Sequence, residues 1–511
     1  MSREYTEDAA LVDELFTGAR EAFEGIVTQL RSEEAARMDH AEVEAFLDEA
    51  GRGVLQRLLQ SHLDLRALRE EKRDAVVGSD GATRTHRRPG EGRRLMSLFG
   101  AVRATGISYE ARGVGALRPL DAALNLPEEL YSHGVARRLV DDAIKMSFDA
   151  AVDDLERTAG VRVPKRQAEE LSRAAAADFD AFYAGRAVSA AQETDDLLVL
   201  STDGKGVVVR REDLREATRK KAEREKKTKR KRRLSPGEKR HRKRMGTVAS
   251  VYSVARWART PEEIMGTADT AENVTPLSKR RPRPKDKRVW ASLEKDADDV
   301  MDDVFREALR RDPGRRRKCL CLVDGDLEQL ARVNDFAQLH GLDVELICDF
   351  VHVLEYLWGA AHCFHAVGSD AAEEWVVERA LEVLRGKASD VARGMRQSAT
   401  KQNVAGRRRK GVDDCARYLL NHKRYLRYDE YLAAGYPIAS GVIEGACKHL
   451  VNDRLGITGA RWSLAGAEAI LKLRSLWASG DLDEYWRFHR SRELERNHLV
   501  RYAENPLRMA S

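Results

Sequence analysis

Leu197-Leu198-Val199-Leu200-Ser201-Thr202-Asp203-Gly204-Lys205-Gly206 constrains the fold more than any other stretch of the chain. The apolar run is too short for a helix and is bounded by breakers, so it reads as a buried strand. Asp203 then stands at the strand's carboxyl end, and Gly204 and Gly206 leave the backbone open to a ligand. The pattern returns in Cys319-Leu320-Cys321-Leu322-Val323-Asp324-Gly325, a second apolar strand ending in Asp-Gly. Ser440-Gly441-Val442-Ile443-Glu444-Gly445 sets a third carboxylate in a small-residue turn. A single acid at a strand end is ordinary turn chemistry. Three on separate elements of one layer can hold two divalent cations, and hard oxygen ligands favour Mg²⁺ or Mn²⁺. Asp326 is the rival to Asp324, or else it caps the helix that begins at Leu327.

Strands and helices alternate around these acids. Thr247 to Ala255 is β-branched and reads as a strand, Thr270 to Arg288 as a loop, and Val289 to Arg311 as an amphipathic helix. Leu327 to His340 is helical and Leu342 to Cys348 is a strand. The order predicts an α/β layer with a partly parallel sheet. Val351 to about Leu432 is helical throughout and lies between the second and third acids as an insertion. Glu444 opens a helix running through Lys448 and Leu450, which Gly456 to Gly459 breaks. Ser463 caps the next helix. Beyond Asp481 the chain reads as a charged, peripheral helical tail.

The amino-terminal part is different in kind. Residues 1 to about 75 carry helical spacing and read as two or three amphipathic helices: an oligomerisation or DNA-end module, or a plain cap on the next domain. Ser79 to Gly92 reads as a loop or linker. Leu95 to Ala104 and Ile107 to Ala111 predict a short hairpin turning near Thr105-Gly106. Helices at Ser147 to Leu155 and Lys165 to Ala177, around Gly160, fit a helix-turn-helix or a plain helical hairpin. In the former, Lys165 and Arg166 stand at the start of the groove-reading helix.

Charge sharpens the functional reading. Charged residues make up 34% of the chain, yet the net is only +6, so distribution matters more than sum. Arg219 to Arg244 is the most biased segment, and Arg230, Arg232 and Arg233 sit at its centre. Such a block repels itself, buries little and binds phosphates with counterion release. Lys205, Arg454, Arg461 and Trp462 add candidate nucleic-acid contacts near the acids. A guanidinium grips phosphate, and an indole stacks on an unpaired base or else anchors a core. No apolar stretch reaches membrane-spanning length, and the start is acidic where a signal peptide would be basic, so the expected place is the cytoplasm, on the nucleoid. Six unevenly spaced cysteines do not predict a disulfide framework. Cys319 and Cys321 share one strand face and read as buried small hydrophobes. Cys348, His352, His362, Cys363 and His365 form no recognised zinc pattern. Asp349 is placed to cap a helix start, with His352 on the same face, reaching back towards it.

Together these motifs resemble bacterial insertion-sequence transposases of the DDE type, in the ISKra family related to Mutator-like enzymes. The resemblance rests on Ser201 to Gly206, the Lys/Arg block running into Lys243 to Tyr252, Val323-Asp324-Gly325, Asp349-Phe350-Val351-His352, Ser440 to Gly445 and Arg461-Trp462-Ser463. It covers roughly residues 90 to 480. It implies an α/β ribonuclease-H-like core at 195–350 and 436–480, interrupted by a basic insertion at 219–244 and an all-α insertion at 351–435. A helical region at 1–80, a hairpin and helix-turn-helix-like DNA-binding region at 90–190 and a tail at 481–511 complete the plan. By the same resemblance, Asp203, Asp324 and Glu444 are catalytic and ligate two Mg²⁺ or Mn²⁺ ions, and Asp349 and His352 match a small structural motif. The partners implied are terminal inverted repeats and target DNA, bound by a dimer or higher assembly, since two ends must be paired. Relatives carry paired cysteines near the hairpin; Tyr109 to Gly115 has none, which puts a zinc-assisted end-binding domain in doubt. A nuclease without strand transfer and a catalytically silent DNA-binding derivative are the alternative functions.

Overall fold

The computed structural model describes residues 11–187, 194–227, 242–267, 281–457 and 459–507. The expected contacts Arg230, Arg232 and Arg233 lie outside the described residues. The fold is mixed α/β and divides into two compact units. One is built from the residues up to Ala184 and from Leu482 onward; the other is Gly185–Asp481.

In the first unit a helix Thr17–Leu30 is followed by a long helix His40–Leu68, opened by a capping box of Asp39 with Glu42. Strands β1 (Val76–Val77) and β2 (Thr83–Arg84) pair with each other, and β3 (His86–Ser97), β4 (Gly100–Ala111) and β5 (Val114–Leu117) form an antiparallel sheet. The Ser79–Gly92 stretch is thus largely strand, where a loop is expected from composition. Its polar side chains line an exposed strand, and β4 supplies its backbone partners. The hairpin turn is also displaced: Leu98-Phe99 makes it, and Thr105-Gly106 lies inside β4. An apolar pair conceals the turn, held by Ser97, whose hydroxyl donates to the Gly100 carbonyl at 2.8 Å. Gly106 serves close approach instead, because a Cβ there would stand 3.1 Å from the Glu70 carboxylate.

Helices His133–Ala143, Phe148–Ala159 and Lys165–Ala175 pack on one another, with Gly160 left-handed at φ +66° after the second. The helical turn expected around Gly160 is present. The carboxyl-terminal helix Leu482–Asn497 is not peripheral. Tyr485, Trp486 and His489 are buried, and Tyr485 donates its hydroxyl to the Ala175 carbonyl at 2.5 Å. Three buried rings outweigh the helix's high charge.

The second unit is organised on a five-stranded sheet in the order β10-β9-β6-β7-β8. The strands are β6 (Leu197–Val208), β7 (Lys243–Val254), β8 (Lys285–Ser292), β9 (Cys319–Val323) and β10 (Val344–Cys348). β6, β7 and β8 are antiparallel; β9 and β10 run parallel to β6. Strand β8 replaces the end of an expected loop and the start of an expected helix. Its inward half, Arg288 to Ser292, is continuously buried, so it shows no alternation to read. The helix itself is shorter, Ala297–Arg311. Five α-helices lie between Phe350 and Ala433 after β10, a stretch expected to be helical. Cys319 and Cys321 are buried as small core residues. No helix among the described residues is long and apolar enough to cross a membrane.

Candidate active site

The register of two parallel strands brings the first two acids together. Ser201 on β6 pairs with Leu322 on β9, and the Ser201 hydroxyl donates to the Leu322 carbonyl at 2.9 Å. Asp203 and Asp324 each lie two residues beyond that last pair, on strands that neighbour one another at about 4.8 Å while paired. Asp203 does not end its strand, contrary to the reading from sequence. β6 runs on to Val208 against β7, and only the pairing with β9 stops short of Asp203. Pairing that ceases on one side leaves the carboxylate accessible while its backbone stays in a ladder.

Asp324 is exposed, and its Oδ1 accepts the Asp326 amide at 2.8 Å. Gly325 has φ +95°, and a Cβ there would meet the Tyr418 hydroxyl at 2.8 Å. That hydroxyl donates to the Asp324 carbonyl at 2.9 Å, and His422 Nε2 lies 2.8 Å from the Gly325 carbonyl. The insertion therefore clamps the loop that carries Asp324. Asp326 caps the helix Leu327–His340 by accepting the Gln329 amide at 2.9 Å. The Gln329 side chain in turn donates to the Thr202 carbonyl at 2.7 Å, just before Asp203.

Glu444 lies on the helix Gly441–Ala446, which packs on β6 and β7 and continues as π-helix Cys447–Asn452. Two contacts hold this helix. At its start Asp349, 1% exposed, accepts the Ser440 amide at 2.7 Å and the Ser440 hydroxyl. Asp349 also accepts the Val351 amide at 2.7 Å, capping Phe350–Ala361. One turn after Glu444, the buried Cys447 thiol donates to Asp203 Oδ2 at 3.0 Å, while Asp203 Oδ1 accepts the Gly204 amide at 2.6 Å. The helix that carries Glu444 is thus tied to Asp349, just after β10, and to Asp203 on β6. Partial burial pushes its carboxyl up, as do the negative charges of Asp349, Glu355 and Asp203, with His352 opposing. His352 faces that acid and bonds Glu355 at 3.1 Å; its expected reach back to Asp349 is not made. A cleft of about 810 Å³ opens beside Asp324, lined among others by His352, Tyr356 and Tyr418.

Three carboxylates, one on β6, one directly after β9 and one on the helix packed on β6, are donors of the kind that suits hard divalent cations. They are more widely spread than Asp178, His489 and Glu493, whose ligand atoms all lie within 4.8 Å and which could hold a metal ion. That cluster belongs to the first unit and already carries a cation: Arg496 reaches Asp178 at 2.6 Å and also pairs with Glu493. Among the described residues it is the cluster of this kind, and the Cys348–His365 set does not form one.

The expected nucleic-acid residues separate into two groups. Lys205 is half-buried on β6 and Arg461 is exposed. Lys165 and Arg166 are exposed at the start of their helix, paired with Asp149 at 2.5 Å and Glu170 at 3.1 Å. Arg454 and Trp462 are core residues, 2% and 7% exposed, with the guanidinium 4.7 Å over the indole. Trp462 also pairs its backbone with Val208 and Arg210 and donates its indole N–H to the Leu455 carbonyl at 3.2 Å. Burial withdraws both from phosphates and bases, and the anchor alternative for Trp462 describes its place. Cys447, Tyr418 and Gln329 escaped notice in the sequence; only the spacing of Cys447, three residues after Glu444, offered a signal. Compared with protein-family models and with curated proteins, the chain matches none.

Proposed function

We propose that the chain is a DDE-type DNA transposase of the ISKra family, with a ribonuclease-H-like core. The observation that carries this reading is that Asp203 lies on the central strand β6, Asp324 directly follows its parallel neighbour β9, and Glu444 lies on a helix packed on β6 and β7. Three antiparallel strands followed by two parallel ones, with an all-α insertion before the third acid, support the core assignment. The exposed basic residues Arg219, Lys220 and Lys221, entering the Lys/Arg block beside β6, support DNA as the substrate.

Asp203, Asp324 and Glu444 would hold Mg²⁺ or Mn²⁺, which when bound activates water or a 3′-hydroxyl and stabilises the leaving oxygen. Asp203 presents a carboxylate whose orientation is set by Gly204 and Cys447. Asp324 projects from a loop whose carbonyls are hydrogen-bonded by Tyr418 and His422. Glu444 closes the set from a helix anchored at Ser440. The chain cuts at the inverted repeats and then joins the freed 3′ end to target DNA; neither step needs a covalent enzyme intermediate.

Purified protein with Mg²⁺ and the element's own end DNA tests this. Asp203→Ala, Asp324→Ala and Glu444→Ala should retain DNA binding and lose cleavage by at least the ~10²–10³-fold that removing one charge-stabilising group costs. Cleavage without strand joining would leave a nuclease. Binding without cleavage by the wild type, in any divalent metal, would leave a silent DNA-binding protein.

A further inference from the structure

Arg93 on β3, Arg118 just after β5 and Arg501 near the carboxyl end line one cavity of about 320 Å³ in the first unit, together with Asp121 and His498. Each guanidinium makes one side-chain hydrogen bond. Arg93 donates to the Glu128 carbonyl at 3.2 Å, Arg118 to Glu91 at 2.8 Å and Arg501 to the Ala116 carbonyl at 3.1 Å. A guanidinium carries five N–H donors, so most of them remain to be used. The Arg93 Nε is buried and has no hydrogen-bond acceptor among the described residues. The Asp121 Oδ2 stands 3.6 Å from that nitrogen, too far for a hydrogen bond. Glu91 is shared with Arg88, and Glu128, also on the wall, is exposed. His498, 6% exposed, donates its Nε2 proton to the Leu126 carbonyl at 2.7 Å. One carboxylate therefore faces three guanidiniums that converge from distant parts of the chain.

Guanidiniums match the oxygens of phosphate and sulfate alike. Asp121 narrows the choice. Its carboxylate repels a fully ionised anion but can accept a hydrogen bond from an anion that carries an O–H. Burial pushes the Asp121 carboxyl up, against the charges of Arg93 and Arg118, which favours sharing a proton with a ligand. Sulfate and phosphodiesters hold no proton at neutral pH. Inorganic phosphate does, and a phosphomonoester takes one up with a pKa of about 6. We propose that this cavity binds a phosphate group that carries a proton, as free phosphate or a terminal phosphomonoester. Arg93, Arg118 and Arg501 are its donors, and Asp121 accepts its O–H. The proposal does not depend on the catalytic reading, whose acids lie in the second unit.

Isothermal titration of the full chain at neutral pH, with inorganic phosphate and with sulfate, tests it. The wild type should bind phosphate at least about 10-fold more tightly than sulfate, the worth of one hydrogen bond to a charged group. Arg93→Gln should weaken phosphate binding about 10–100-fold. Asp121→Asn should bind the two anions about equally, because an amide can donate to either; a carboxylate with only a structural role would not switch the preference. If Arg93→Gln does not fold, Arg501→Gln, at an exposed position, takes its place. Two competitors distinguish the sources of the phosphate. Displacement by a short 5′-phosphorylated oligonucleotide, and not by the same strand with a 5′-hydroxyl, assigns the cavity to a nucleic-acid end. Displacement by a nucleoside monophosphate alone assigns it to a small ligand, and displacement by neither assigns it to free phosphate. The proposal is overturned by a wild type that binds no phosphate at millimolar concentration or binds sulfate equally well, and by an Asp121→Asn variant whose preference is unchanged.

Discussion

At the residue scale a single thiol ties Asp203 to the helical stretch that carries Glu444. The Cys447–Asp203 hydrogen bond fixes a side chain that metal binding would otherwise have to immobilise, at about 0.5–1.5 kcal/mol. Cys447→Ala should therefore weaken Mn²⁺ binding about 3–10-fold with the melting temperature little changed, and Cys447→Ser should restore it. Titration of the DNA-free protein with Mn²⁺ checks this; equal affinity in all three proteins would make Cys447 a packing residue only. Trp462 belongs to the opposite class. Trp462→Ala should cost about 3–5 kcal/mol in denaturant unfolding, because the Arg454 guanidinium loses its cover. Sequence left Trp462 between a stacking clamp and a core anchor and offered no reading of Cys447. Tryptophan beside arginine looks like a stacking clamp, and cysteine looks inert, until burial and hydrogen-bond partners are known.

At the scale of elements, β8 and the helix that follows it show why the sheet edge was hard to read. β8 carries Arg288, and Ala297–Arg311 carries Glu307, which is 3% exposed and bonded to Arg288, Arg310 and Arg311 at 2.7, 2.7 and 2.6 Å. Burial alone would push the Glu307 carboxyl up. Hydrogen bonding from Arg310 and the charges of Arg288 and Arg311 overcome it and pull it down to about 2. A carboxyl lowered on folding contributes stability that is present above its unfolded value near 4.5 and is lost as pH falls towards 2. Acid unfolding over that window should be blunted in Glu307→Gln. The same change should cost about 3–5 kcal/mol at neutral pH, because three guanidiniums lose their shared partner. A pH-independent difference between the two proteins would remove Glu307 from the acid response. Sequence periodicity located the apolar strands β6, β9 and β10 because each is a run bounded by breakers. It missed β3's polar half and β8, whose partners lie elsewhere in the chain.

Across the whole molecule, the chain's end returns to its beginning. Leu482–Asn497 buries Tyr485 and Trp486 in the unit formed by the first 184 residues. Ending the chain at Asp481 should therefore open that unit to proteolysis while Gly185–Asp481 stays resistant; equal resistance of both would show the helix to be dispensable. The interruption between Ala184 and Leu482 hides this from any local reading, since nothing in Leu482–Asn497 names its distant partner.

The sequence by itself determined the α/β class, the strand-borne Asp203, the strand that ends just before Asp324 and the helical stretch after β10. Each is a local signal: an apolar run, a glycine, a helical period. The small-residue turn expected at Ser440–Glu444 is instead the start of the helix Gly441–Ala446. Tertiary structure alone decided that the strands before Asp203 and Asp324 pair in parallel, that Cys447 and Asp349 hold the Glu444 helix, and that Arg454 and Trp462 are core. These depend on what meets what across many residues, and spacing along a chain carries no record of it.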